Sequence, residues 1–199
     1  MEDIASSAGI GAAVAGYLLG SIPFGLILTR LAGLGDVRTQ GSGNIGASNV
    51  LRTGKKSLAA ATLFLDGGKG VLACYFFLSD APAIAMTAGF SAILGHNFPL
   101  WLKFKGGKGV ATSLGVWLAL AWPVGLLACL TWLAAAALFR FSSLAALIAL
   151  AAAPLYAFML GDRPLALMGA AIALMAVWRH RENIDRLLKG SEPKIGRKA

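Results

Sequence analysis

The feature that most constrains this chain is the length of its uncharged apolar runs. Ile4 to Thr29 is 26 residues without a charge, and Val110 to Phe139 is 30. Leu58 to Leu78 is apolar except for Asp66 and Lys69, and Pro82 to Leu102 is interrupted only by His96. Phe141 to Gly161 and Leu165 to Trp178 complete the set. About 20 such residues cross a bilayer as a helix. Only 14% of residues are charged, against about 25% in a soluble domain, which leaves no room for a separate soluble unit. The fold class expected is all-α: an integral membrane helical bundle forming one multi-pass domain over 1–199. Glu2 and Asp3 stand where a secretory signal would carry basic residues, so no cleaved leader is expected.

The 30-residue run decides the topology. Proline lacks an N–H and favours a helix start, so the run is split at Trp122-Pro123. Seven transmembrane helices follow, some short or broken. Both polar loops, Arg140 and the tail then share one side. The tail carries seven basic residues, at 179, 181, 186, 189, 194, 197 and 198. By the positive-inside rule the C-terminus is cytoplasmic and the N-terminus outside. The net charge of +9 marks cytoplasmic loops here, since no nucleic-acid-binding module accompanies it. Cys74 and Cys129 lie far apart in apolar runs and read as inert thiols.

Between the first two spans lies Gly41-Ser42-Gly43-Asn44-Ile45-Gly46-Ala47-Ser48-Asn49-Val50-Leu51-Arg52. Its glycines are expected to leave backbone N–H groups uncovered around an anion, with Ser42, Asn44, Ser48 and Asn49 as short donors and Arg52 as a planar fork for phosphate. A five-residue echo, Gly67-Gly68-Lys69-Gly70-Val71 and Gly106-Gly107-Lys108-Gly109-Val110, suggests two glycine turns that each open a helix and offer a lysine. Asp66 and Lys69 fall near mid-span, where charges are expensive and usually functional. Gly67 and Gly68 predict a break there, with half-helices before and after. His96, in Gly95-His96-Asn97-Phe98-Pro99, reads equally as a structural hydrogen-bond partner. His180 and Asn183, three apart at the end of the last span, share a helical face.

Two look-alikes are set aside. Gly41-x-Gly43-x-x-Gly46 matches the dinucleotide fingerprint, but a membrane span precedes it, not a strand. His180-x4-Asp185 matches thioester-dependent acyltransferases, but the two residues lie about 140° apart on a helix.

Taken together, residues 41–50, 95–99, 104–112 and 179–194, with Leu19-Gly20-Ser21-Ile22-Pro23-Phe24-Gly25 and Arg140-Phe141-Ser142-Ser143-Leu144-Ala145, closely resemble the bacterial acyl-phosphate-dependent glycerol-3-phosphate acyltransferase family. The resemblance covers nearly the whole chain. It implies a seven-span inner-membrane enzyme with its active site on the cytoplasmic face. Such an enzyme moves an acyl group from acyl phosphate to the sn-1 hydroxyl of glycerol 3-phosphate. The resemblance implies that Ser42, Arg52 and Lys108 belong to phosphate sites, and that Ser143, His180 and Asn183 lie around the reacting groups. Gly43, Asn44, Gly107 and Lys69 are further phosphate-site candidates. Asp66, His96 and Glu192 are expected to support them. Besides the two substrates and membrane lipids, no cofactor, metal, nucleic acid or obligate protein partner is expected. Relatives often carry Thr and Tyr where this chain has Ser48 and Phe141.

Two other classes fit parts of the pattern. A membrane carrier of an organic phosphate would also use broken helices and midplane charges. A lipid-head-group phosphotransferase would need a metal held by several aspartates, and only Asp66 is at hand.

Overall fold

In the computed structural model, residues 6–79 and 81–196 are described. Ile4, Glu2, Asp3, Arg197 and Lys198, which entered the expectations above, lie outside them. All regular structure among the described residues is helical. The helices are α1 (Ser7–Gly20), α2 (Phe24–Leu31), α3 (Ala47–Arg52), α4 (Lys56–Tyr75), α5 (Pro82–Asn97), α6 (Val110–Leu120), α7 (Trp122–Phe139), α8 (Ser142–Met159), α9 (Arg163–Arg179) and α10 (Arg181–Leu188). Among the described residues, four segments are long and apolar enough to cross a membrane: Ser7–Leu31, Lys56–Tyr75, Trp122–Phe139 and Ser142–Met159. The expected cut at Trp122-Pro123 is present: α6 stops at Leu120 and Pro123 sits in the first turn of α7. The chain forms two compact units, 1–120 and 121–199.

In the first unit, small residues let backbones touch. Gly16 and Gly20 of α1 lie against the backbones of Ala88 and Ala92 of α5, and Gly95 of α5 lies against Tyr17 and Ser21. A Cβ at any of these glycines would overlap main-chain atoms. In lipid, where apolar burial no longer drives helices together, such close approach is what holds them. The first span is not one straight helix. It is interrupted at Ser21-Ile22-Pro23, between α1 and α2, because Pro23 cannot donate a helical bond. Neighbours satisfy the carbonyls exposed there: Trp101 Nε1 donates to Ser21 O (2.7 Å) and Lys69 Nζ to Ile22 O (2.9 Å).

The second interruption runs the other way. The predicted break at Gly67-Gly68 does not exist: α4 continues through both residues. Gly67 faces a neighbouring helix instead, and Gly68 faces open space. Gly67 packs on Ala111 and Gly115 of α6, and Gly70 on Thr112. Only the second copy of the echo therefore opens a helix; the first lies inside one. The contact at Gly67 also sets depth. Helix α6 begins roughly 16 Å along α4 from Lys56, at 1.5 Å per residue.

The second unit packs α7 and α9 on α8 through Ala145, Ala149, Ala153 and Ala157, all buried. Thr131 and Tyr156 hydroxyls meet at 2.7 Å between α7 and α8. Asp162 caps α9 by accepting from Leu165 N (3.0 Å). Helix α9 ends at His180, which caps it and precedes α10. His180 and Asn183 were expected to share one helical face; instead His180 sits at the junction of α9 and α10, and Asn183 lies in the first turn of α10. Both are nonetheless buried, at 2% and 4% exposure, while Arg181, Glu182 and Asp185 beside them are exposed.

Candidate active site

The glycine loop is built around one residue. Asn49, buried at the start of α3, accepts from Ser42 N (2.9 Å) and donates to Val37 O (2.9 Å), Gln40 O (3.1 Å) and Asn44 O (2.7 Å). Asn44 Oδ1 accepts from Gly46 N, and Gly43 N donates to Gln40 O. The N–H groups of Ser42, Gly43 and Gly46 are thus engaged inside the loop. This corrects the expectation of an uncovered backbone cradle: a buried amide with both ends satisfied is worth more than an open ring of donors. Gly41 and Gly43 adopt left-handed φ of 55° and 68°, and a side chain at Gly41 would strike Asn49 and Arg52. Arg52 lies beside Gly41, where no side chain blocks it. Ser42, Asn44 and Arg52 are brought together, all half-buried. Ile45 and Val50 anchor the loop against Leu26, Val37 and Ala59.

Before the loop, Asp36 accepts from Arg38 (2.6 Å) and Arg30 (3.0 Å). The Arg38 hydrogen bond, with help from Arg30, holds the Asp36 carboxyl well below the usual carboxylate range, against a smaller opposing effect of burial.

Asp66, Lys69 and His96 meet in the interior. Asp66 and Lys69 are each 2% exposed. Lys69 Nζ reaches Asp66 Oδ1 at 2.8 Å, Ile22 O at 2.9 Å and His96 Nδ1 at 2.8 Å. Next to this cluster, Gly107 N donates to His96 O (2.9 Å) and Gly106 N to Asn97 O (3.2 Å). A Cβ on Gly107 would overlap the His96 ring. The turn carrying half-buried Lys108 therefore rests on His96.

In the second unit Glu192 is the hub. Its Oε1 accepts from Ser143 Oγ and Asn183 Nδ2, both at 2.7 Å, and its Oε2 from Arg186 Nε at 2.7 Å. Burial raises its proton affinity, but these three donors outweigh it and keep the carboxyl below its usual range. The chain reaches this point by turning back after α10, where Gly190 takes a φ of 68° and Ile195 N donates to Arg140 O (2.7 Å). His180 Nδ1 lies 2.8 Å from Ala176 O. A carbonyl only accepts, so Nδ1 carries a proton and Nε2 is the basic nitrogen of the neutral ring.

Asn49, expected from sequence as a donor to phosphate, spends its amide inside the loop instead, and Arg186 was not singled out from sequence. For Arg186 the signal was available, since a basic residue six before a buried-side glutamate can reach it across a turn.

The family profile described as glycerol-3-phosphate acyltransferase matches residues 10–190. The chain belongs to the glycerol-3-phosphate acyltransferase family. It is 60% identical to the glycerol-3-phosphate acyltransferase of Paramagnetospirillum magneticum, over 95% of this chain and 94% of that one. It is 62% identical to that of Rhodospirillum rubrum, over 94% and 90%. Among solved structures it is similar to PlsY (YgiH), an integral membrane glycerol 3-phosphate acyltransferase, in its glycerol 3-phosphate form. There the TM-score is 0.90 at 39% identity, covering 96% of each chain. The lysophosphatidic acid form of PlsY gives 0.87 at 38%.

Proposed function

We propose that the protein acylates glycerol 3-phosphate at its sn-1 hydroxyl, taking the acyl group from acyl phosphate. The products are 1-acyl-glycerol 3-phosphate and inorganic phosphate. The observation that carries this reading is family membership across nearly the whole chain. In this reading the chain is a single seven-span domain of the inner membrane, with the N-terminus outside and the C-terminus and chemistry on the cytoplasmic face.

Acyl phosphate is already activated, so the protein has to hold two anionic head groups and set a hydroxyl about 3 to 3.5 Å from a carbonyl carbon. The side chains of Ser42, Asn44, Arg52 and Lys108 hold phosphate, and Gly43 and Gly107, whose own N–H groups are engaged within the protein, let it approach their turns closely. Lys69 adds positive charge behind Lys108, and Asp66 and His96 support it. Asn183 orients the hydroxyl or polarises the carbonyl, with Ser143 beside it and Glu192 fixing both. Attack is direct, without an acyl-enzyme. The proton goes to the substrate phosphate, whose second pKa of about 6 suits the task, or to His180 Nε2. No cofactor takes part.

Purified protein should release inorganic phosphate from palmitoyl phosphate only when glycerol 3-phosphate is added. Radiolabelled glycerol 3-phosphate should enter the lipid fraction. Label accumulating in the vesicle lumen instead would favour the organic-phosphate carrier and end the acyltransferase reading.

A further inference from the structure

We infer that Asp66, Lys69 and His96 form a positioning device for the turn that carries Lys108, and that Lys69 itself touches no phosphate. The inference rests on the acyltransferase reading only in taking Lys108 as a phosphate ligand.

An ammonium has three N–H donors and no acceptor. All three of Lys69's have acceptors within 2.9 Å: the Asp66 carboxylate, the Ile22 carbonyl and the His96 Nδ1. Contact with a phosphate would require breaking one of them inside the protein. The third bond has a consequence for His96. Because the ammonium can only donate, Nδ1 accepts, and the neutral ring carries its proton on Nε2. Asp66 Oδ1, 3.6 Å from Nδ1, keeps the cation in place. The Nε2 edge is the one that lies against Gly107. The backbone of His96 also accepts from Gly107 N, and that of Asn97 from Gly106 N. One residue thus supports the Lys108 turn by ring and main chain, and Lys69 fixes which way the ring faces. The tie extends to Ile22, so the break in the first span is locked to the same turn. His180, the other of the two histidines, has the opposite tautomer, with its proton on Nδ1. The two rings therefore separate in a nitrogen spectrum.

The test uses full-length protein in nanodiscs with 15N-labelled histidine. In the wild type, His96 should carry its proton on Nε2 and His180 on Nδ1; a proton on His96 Nδ1 overturns the inference before any variant is made. The double substitution Asp66→Leu with Lys69→Met replaces the ion pair by apolar groups of similar size, which buried pairs tolerate. It should let the His96 tautomers mix and weaken binding of inorganic phosphate, read by thermal shift, about tenfold. KM should rise by a similar factor, with kcat changed less than threefold. Weaker phosphate binding with an unchanged His96 tautomer would mean that Lys69 is itself the ligand. Unchanged binding with a changed tautomer would mean that the turn does not depend on the ring. Either result overturns the proposal. Should the wild type make no product while tautomer and phosphate binding respond as stated, the acyltransferase reading fails and the positioning role stands.

Discussion

Each of the two units buries a carboxylate at the centre of its polar residues, and each neutralises it differently. Asp66 sits inside a membrane helix and finds its counter-charge one turn away on that helix, at Lys69. Glu192 sits in a segment beyond the last helix and collects a hydroxyl, an amide and a half-exposed guanidinium from three places along the chain. The difference follows from solvent. Asp66 and Lys69 are each 2% exposed, and an unpaired ion so buried is too costly to keep, so the opposite charge must be built in beside it. Beside Glu192 the Arg186 side chain is 32% exposed, and there neutral donors and a partly hydrated arginine suffice.

That contrast can be broken most directly by deleting one partner. Lys69→Ala should strand Asp66 and destabilise the protein by about 3–5 kcal/mol, read from thermal unfolding in detergent. Glu192→Gln should lose less, about 1–3 kcal/mol. Equal losses would mean that the two carboxylates are held in the same way. Next come the half-buried cations of the two turns. Arg52→Ala and Lys108→Ala should each lower turnover on the order of 10²-fold or more with membrane insertion intact, and Ser42→Ala less. Wild-type rates in all three would remove the phosphate role from the first unit. Asn49→Leu leaves every charge in place but frees the loop it ties. It should lower activity about tenfold while leaving the helix content measured by circular dichroism unchanged.

The smallest effect is one of pH. Because the Glu192 carboxyl is held below its usual range, the stability it adds is full above the unfolded value of about 4.3 and is lost as pH falls through the lower folded one. The unfolding temperature should drop over that acid window, and Glu192→Gln should flatten the slope. An unaltered slope would mean that other carboxylates carry it.

Much of the molecule was legible before folding. Run length marked the membrane helices, Pro123 marked the cut in the longest run, and the ordered motifs pointed to the family. The glycines were harder to read. At Gly41 and Gly43 they allow left-handed turns, whereas at Gly67 and Gly70 they let another helix come close without bending their own. Composition is the same in both cases; what differs is whether a neighbouring backbone arrives.

The amino-acid sequence by itself determined that the chain is a membrane protein of this family, because hydrophobic length and local motif chemistry act over a few turns of chain. Tertiary structure alone decided which polar groups remain available. Asn49 takes the N–H of Ser42 and donates to three carbonyls around the loop, Asp66, His96 and Ile22 take the donors of Lys69, and Glu192 reaches back 49 residues to Ser143. Those assignments depend on atoms meeting within 3 Å across helices, and nothing in residue order encodes such a distance.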